Sequence, residues 1–188
     1  MPIRVFIDQG HNPSGVNAGA EANGLREQDV NYIVGKALAD MLRDDPRFAV
    51  RLSRNTPTES LGTSNATSLA ARVRMANSWP ANYFISIHCN SNPNPAINGS
   101  EAYVYQSGTQ AFWLGQHIIQ GLVSEAGTRD NGVRVNSSLY VLRRTTMPAV
   151  LVELGYLTNP GDAMKLRDDP RSFARGIYAG MLSYFGFA

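Results

Sequence analysis

The chain has 188 residues, a mass of 20.5 kDa and 17 basic against 15 acidic side chains, with a pI near 8.8. A hydrophobic share of 43% supports a real core, and a charged share of 17% lies below the average of roughly 25%, which excludes a coiled coil or a disordered chain. No Lys/Arg cluster tracks a phosphate backbone, so nucleic acid is not an expected partner. No run of about 18 apolar residues exists to span a membrane. The single cysteine, Cys89, excludes an intrachain disulfide and a Cys-rich zinc pattern.

The length fits one domain over residues 1–188, and a monomer is expected. The chain passes from Met1-Pro2 straight into an apolar run, with no signal peptide, so no export route is read here. Val5-Phe6-Ile7 reads as a strand buried on both faces, broken by Asp8, Gln9 and Gly10. His11 then stands at the strand's C-terminal end, where ligands gather in open α/β sheets. Residues 12–24 are polar and Gly-rich and read as a loop lining a site. Residues 25–43 read as a helix, with Val30, Ile33, Val34, Ala37, Leu38, Met41 and Leu42 on one stripe and Glu27 in the first turn. A strand over 48–52, a loop over 56–64 and a helix over 67–79 follow; Leu69, Val73 and Ala76 are expected to face inward.

The next strand is Tyr83-Phe84-Ile85-Ser86-Ile87-His88, again tipped by histidine. Residues 90–99 hold two prolines and four asparagines and read as a loop beside the site. Residues 101–105 read as an alternating edge strand and 110–126 as an amphipathic helix. Residues 127–136 read as a polar loop and 139–142 as a short strand or extended segment. Ala149-Val150-Leu151-Val152 is a further buried strand, ending in Glu153. A loop over 156–161, a short helix and a final helix over 171–184 complete the chain. Strands alternate with helices, so the expected class is α/β, with a mostly parallel or mixed sheet and helices on both faces.

Three strand tips thus deliver His11, His88 and Glu153, which suggests one shared site. Two imidazoles and one carboxylate form a standard ligand set for catalytic zinc, with a fourth position for water. Glu27 supplies the carboxylate, with Glu21 in the preceding loop as its competitor. Glu153 is then free to act as a base toward water. Most of these residues also have a plainer explanation. A strand-end histidine is more often a hydrogen-bonded core residue, and Glu27 alone would serve the helix dipole. His117 lies mid-helix and reads as structural or exposed. Glu153 resists such an explanation, because an uncompensated buried acid is costly. Cys89 and His88 are adjacent in a strand and point to opposite faces, which argues against a Cys–His nucleophile. Ser86 points the same way as His88, but no elbow motif frames it.

Four blocks stand out: Asp8-Gln9-Gly10-His11, Gly24-Leu25-Arg26-Glu27-Gln28-Asp29-Val30-Asn31, Phe84-Ile85-Ser86-Ile87-His88-Cys89-Asn90-Ser91 and the long run from Met147 to Pro160. They resemble the signatures of the zinc-dependent N-acetylmuramoyl-L-alanine amidases of the Amidase_3 type. Shorter likenesses lie at Leu69-x-x-Arg72-x-x-x-Ala76-Asn77, Gly99-Ser100-Glu101, Asn131-Gly132-Val133 and Val141-Leu142-Arg143. The blocks fall in the family's order over nearly the whole chain.

The resemblance implies a three-layer α/β fold with a central, mostly parallel sheet. It implies one Zn²⁺ held by His11, Glu27 and His88, with Glu153 as the catalytic acid, and so favours Glu27 over Glu21. It implies hydrolysis of the amide between the lactyl group of N-acetylmuramic acid and L-Ala, with peptidoglycan as the partner and the cell wall or extracellular space as the place of action. Asn90 is expected to touch substrate. The sequence departs from the family pattern at Gln9, where Pro is usual, and at Asn12-Pro13, where Gly-Gly is usual, which bears on loop shape and substrate fit. Two alternatives stay open: a wall-binding module without activity, and another zinc hydrolase of the carboxypeptidase or deacetylase class. No wall-binding repeat is evident, so targeting is expected from the domain itself, a partner or a removed segment.

Overall fold

A computed structural model describes residues 1–187. Its first strand, β1 (Ile3–Gln9), is followed by a two-residue pair, β2 (Glu21–Ala22) and β3 (Leu25–Arg26), and then by α1 (Glu27–Arg43), β4 (Phe48–Leu52) and α2 (Asn65–Ser78). The middle of the chain forms β5 (Tyr83–Asn90), β6 (Ser100–Val104), α3 (Gln110–Ala126) and β7 (Asp130–Val135). It closes with α4 (Tyr140–Arg144), β8 (Ala149–Tyr156), α5 (Pro160–Asp168) and α6 (Pro170–Phe185).

Local chemistry sets the helix ends. Ser64 and Thr67 form a reciprocal capping box at the start of α2. Asn159 and Asp169 cap α5 and α6, each with proline in the first turn, where its missing N–H costs nothing. Gly127 ends α3 at φ 62°, a left-handed stop that glycine adopts freely.

Six strands form one sheet in the order β4-β1-β5-β8-β6-β7. The first four run parallel, β6 runs antiparallel to β8, and β7 runs parallel to β6. Strand alternation separates two cores. Val5, Ile7, Ile85, Ile87, Val150 and Val152 face one side, where they meet α1, α3 and α6. Phe6, Phe84 and Leu151 face the other, under Val73 and Ala76 of α2 and Val141 and Leu142 of α4. Helix, sheet and helix make the three layers that the family blocks imply. On the thicker side α3 and α6 touch backbone to backbone through Gly121, Gly176 and Gly180.

Residues 91–99 leave β5, arch over the end of β8 and return down β6. The arch is pinned from below: the Asn92 N–H donates to Thr158 Oγ1 at 3.0 Å, and Asn159 Nδ2 donates to the Pro95 carbonyl at 2.7 Å.

Four local expectations are corrected. The helix expected from residue 25 begins at Glu27, because Leu25–Arg26 pairs with Glu21–Ala22 across an Asn23-Gly24 turn with φ values of 50° and 75°. Asn-Gly is the preferred pair for such a turn. The stretch 101–105 is not an edge, since β7 lies outside it. That edge strand falls within 127–136, expected to be loop; Asp, Asn and Gly are poor strand formers, and pairing with β6 overrides them. The stretch 139–142, expected to be extended, opens the short helix α4, whose Val141 and Leu142 are buried against the sheet.

Candidate metal centre

Strand residues opposite the α1/α3/α6 core carry much of the site, and Glu27 reaches it from the first turn of α1. Asp8 on β1, Ser86 and His88 on β5, and Glu153 on β8 each alternate with a residue of that core, so they turn toward α2 and α4. Phe6, Phe84 and Leu151 fill the lower part of this face. Past them the strands carry polar groups, and a cavity of about 130 Å³ opens, bordered by Gly10, His11, Leu69, Arg72, His88 and Tyr140.

Gly10 is required where β1 ends. A Cβ there would strike the His88 ring and the Ile87 carbonyl. His11 follows at φ 68°, a left-handed conformation uncommon for a side-chain-bearing residue. Its Nδ1 lies 3.1 Å from the Asn17 carbonyl. A carbonyl only accepts, so Nδ1 carries the proton. That directs Nε2 at Glu27 Oε1, 3.0 Å away.

His88 Nδ1 reaches the same oxygen, also at 3.0 Å, and the Cys89 N–H approaches it at 3.2 Å. The second carboxylate oxygen, Oε2, accepts from the Ala20 N–H at 3.0 Å. The ligand atoms of His11, Glu27 and His88 all lie within 4.8 Å of one another. In a tetrahedral zinc site, bonds of about 2.0–2.1 Å separate neighbouring donors by about 3.3 Å, close to what is seen. Two ring nitrogens facing one carboxylate oxygen make a donor set that a divalent cation between them would take up. The three residues therefore fit a metal ion.

Glu27 and Glu153 are driven in opposite directions. Burial works to raise the Glu27 pKa, but hydrogen bonds from His11 and His88 outweigh it and hold the carboxyl well below its usual range. Glu153 is pushed well above the usual range by burial first, then by the negative charges of Glu27 and Glu101. It stands opposite His88 across β5–β8 and opposite Glu101 across β8–β6, and its Oε2 is buried without a hydrogen-bond partner.

The other expected residues are placed as follows. Glu21 lies on the β2–β3 hairpin, pairs with Arg26 at 3.2 Å and is away from the cluster. Asn90 lies at the site edge, where Nδ2 donates to Glu101 at 2.7 Å and Oδ1 accepts from the Ser91 N–H at 2.8 Å. His117 bonds Ser183 on the far side of the sheet. Ser86 donates to Asp8 at 2.8 Å, and Cys89 is buried, its thiol pushed well up in pKa by burial.

Sequence reasoning missed Arg72, Asp8 and Glu101 as buried polar groups. Arg72 and Asp8 form an ion pair at 2.5 Å, each 1% exposed. A signal for Arg72 existed, since it sits on the inward stripe between Leu69 and Val73. Glu101 is 1% exposed and gathers Asn90, Tyr103 and Tyr156 around one oxygen. The mistaken edge assignment concealed it.

Residues 5–183 match the family model Amidase_3, N-acetylmuramoyl-L-alanine amidase. The chain belongs to this family. Within it, the chain is 36% identical over 188 residues to N-acetylmuramoyl-L-alanine amidase LytC of Bacillus subtilis, covering 96% of this chain and 35% of that protein. It is 35% identical over 191 residues to N-acetylmuramoyl-L-alanine amidase CwlM of Bacillus licheniformis, covering 99% of this chain and 70% of the relative. The chain thus spans about a third of one such relative and about two thirds of the other. A solved N-acetylmuramoyl-L-alanine amidase from Clostridium difficile 630 superposes with a TM-score of 0.86 at 32% identity, covering 98% of this chain and 97% of that one. By family the chain is a hydrolase. No helix among the described residues is long and apolar enough to cross a membrane.

Proposed function

We propose that the protein is a zinc-dependent N-acetylmuramoyl-L-alanine amidase, a single catalytic domain acting on peptidoglycan at the cell wall. The observation that carries this reading is the convergence of His11 Nε2 and His88 Nδ1 on Glu27 Oε1, each at 3.0 Å, with Glu153 opposite His88 on the next strand. His11, Glu27 and His88 hold the metal. Zinc bound there supplies Lewis-acid polarisation of the scissile carbonyl and lowers the pKa of water toward roughly 7.

Glu153 takes the proton from the attacking water and passes one to the departing L-Ala nitrogen. Its apolar surroundings raise its proton affinity, and a nearby cation lowers it, which suits a group that must both accept and give. Asn90 keeps one amide hydrogen beyond its bond to Glu101 and offers it to the stem peptide or carbonyl. Gly10 leaves the His88 ring unobstructed from below. The mildly basic chain suits an acidic wall polymer.

Digestion of purified muropeptides tests the reading. An amidase frees an L-Ala N-terminus. Acetate released from the sugar would instead indicate a deacetylase, and a stem peptide shortened at its C-terminus a carboxypeptidase. Binding to wall without new ends would indicate a module without activity. Activity should vanish in chelator and return with zinc.

A further inference from the structure

We propose that Arg72 is a positioning residue for the metal site: its guanidinium holds the backbone of the His11 turn so that the imidazole meets Glu27 and His88. The proposal rests on the metal reading above. Arg72 reaches across from α2 and is 1% exposed. Its Nη2 donates to the His11 carbonyl at 2.7 Å and to Asn12 Oδ1 at 3.3 Å. Its Nη1 donates to the Gln9 carbonyl at 2.6 Å and to Asp8 Oδ1 at 2.5 Å, with Ser53 Oγ at 3.4 Å. One planar group therefore fastens the chain on both sides of Gly10, through the turn that leads to the left-handed His11.

Ion pairing alone does not account for this arrangement. A buried pair contributes little net stability against apolar replacements of the same volume. The feature specific to arginine is the fork of donors, which engages two carbonyls and a carboxylate at once; lysine offers a point charge instead. Asp8 holds the fork in place and is itself held by the Ser86 hydroxyl at 2.8 Å. Ser86, Asp8 and Arg72 form a chain from β5 through β1 to the carbonyl of His11. The Asn17 carbonyl then fixes the ring itself through Nδ1. Partners outside the ligand set are typically worth about 10- to 100-fold in metal affinity.

The test is zinc affinity of the folded, purified protein, measured by competition with a chromophoric chelator well below its melting temperature. Circular dichroism and the metal-free melting temperature are taken on the same samples. Arg72→Lys is expected to keep the fold and to lower zinc affinity by about 10- to 100-fold. A purely structural Arg72 would lower the melting temperature and leave zinc affinity unchanged, which overturns the proposal. Ser86→Ala removes one hydroxyl and no charge, so it keeps the test open if Arg72→Lys does not fold. It is expected to lower zinc affinity by about twofold to tenfold, as a more distant partner. Native affinity in folded Ser86→Ala, together with failure of Arg72→Lys to fold, also overturns the proposal. Absence of zinc binding by the native protein overturns the metal reading and this inference with it, whereas zinc bound equally by native and Arg72→Lys overturns this inference alone.

Discussion

Glu153 and Glu27 are both buried carboxylates, yet their surroundings assign them opposite tendencies. Glu27 has imidazole and backbone donors at hand, while Glu153 Oε2 has none. If Glu153 handles protons and does not hold metal, Glu153→Gln should keep zinc near one per chain and keep the fold. Turnover should fall by roughly 10²–10⁴, the usual contribution of a general base. Metal analysis and muropeptide turnover on one preparation decide this; lost zinc or retained turnover would refute the role. Glu27→Ala should lower zinc content, whereas Glu21→Ala should leave it unchanged, because Glu21 is spent on Arg26 at the surface. The reverse outcome would reassign the ligand. That His11, Glu27, His88 and Glu153 lie near one another was legible in the sequence, because strand tips and a helix start announce where side chains converge. The burial of Arg72, Asp8 and Glu101 was not, since a buried charge is recognised by its charged partner, and Arg72 pairs with Asp8 across α2 and β1 while Glu101 pairs with Arg134 across β6 and β7.

At the scale of elements, α3 and α6 meet backbone to backbone. A Cβ on Gly121 would meet the Gly176 carbonyl, and one on Gly180 would meet the His117 carbonyl. Backbone cannot move aside as a side-chain tip can. Gly121→Ala should therefore lower unfolding free energy by about 1–3 kcal/mol, the usual scale of overpacking, read from urea unfolding. An unchanged urea midpoint would show that the two helices separate freely. Most helices were readable because their apolar stripes are long and their caps regular. The edge strand β7 and the short helix α4 were not. Each owes its conformation to a neighbour: β7 to pairing with β6, and α4 to packing of Val141 and Leu142 under the sheet. The Asn23-Gly24 turn was written plainly in the sequence, but its two short strands fell on either side of the boundary between a stretch read as loop and one read as helix.

For the whole molecule, the Asp8–Arg72 pair links stability to pH. Burial opposes ionisation of Asp8, but the charge and hydrogen bond of Arg72 overcome it and lower the pKa below the usual value. A group depressed in the folded state stabilises fully above its unfolded pKa of about 3.9 and loses that contribution as pH falls further. Glu153 carries the opposite sign in the metal-free protein: its raised pKa favours the folded state at low pH, and that advantage is lost as pH rises above about 4.3. Metal-free Asp8→Asn should therefore show a flatter decline in urea midpoint than the native chain between pH about 4 and about 2. Equal slopes would remove Asp8 from the acid limb. The α/β class was legible from alternating elements. The strand order and the reversal at β6 were not, because they depend on pairings between segments far apart in the chain.

The arch over residues 91–99 has a consequence for how such a protein can diversify. It joins two strands that flank a third, so it spans the working end of β8 and leaves the sheet beneath it unaltered. Doubling the length of a flexible loop adds only about 0.6 kcal/mol of closure entropy. New residues between Asn94 and Asn98 would lengthen the arch next to Asn90, while the bond between Asn92 and Thr158 keeps its root fixed. A glycine-serine insertion there should keep the melting temperature and bound zinc yet change which muropeptides are cleaved fastest. Substrate range can thus be inherited separately from the chemistry, through a segment that is lengthened or exchanged while the catalytic floor is passed on intact.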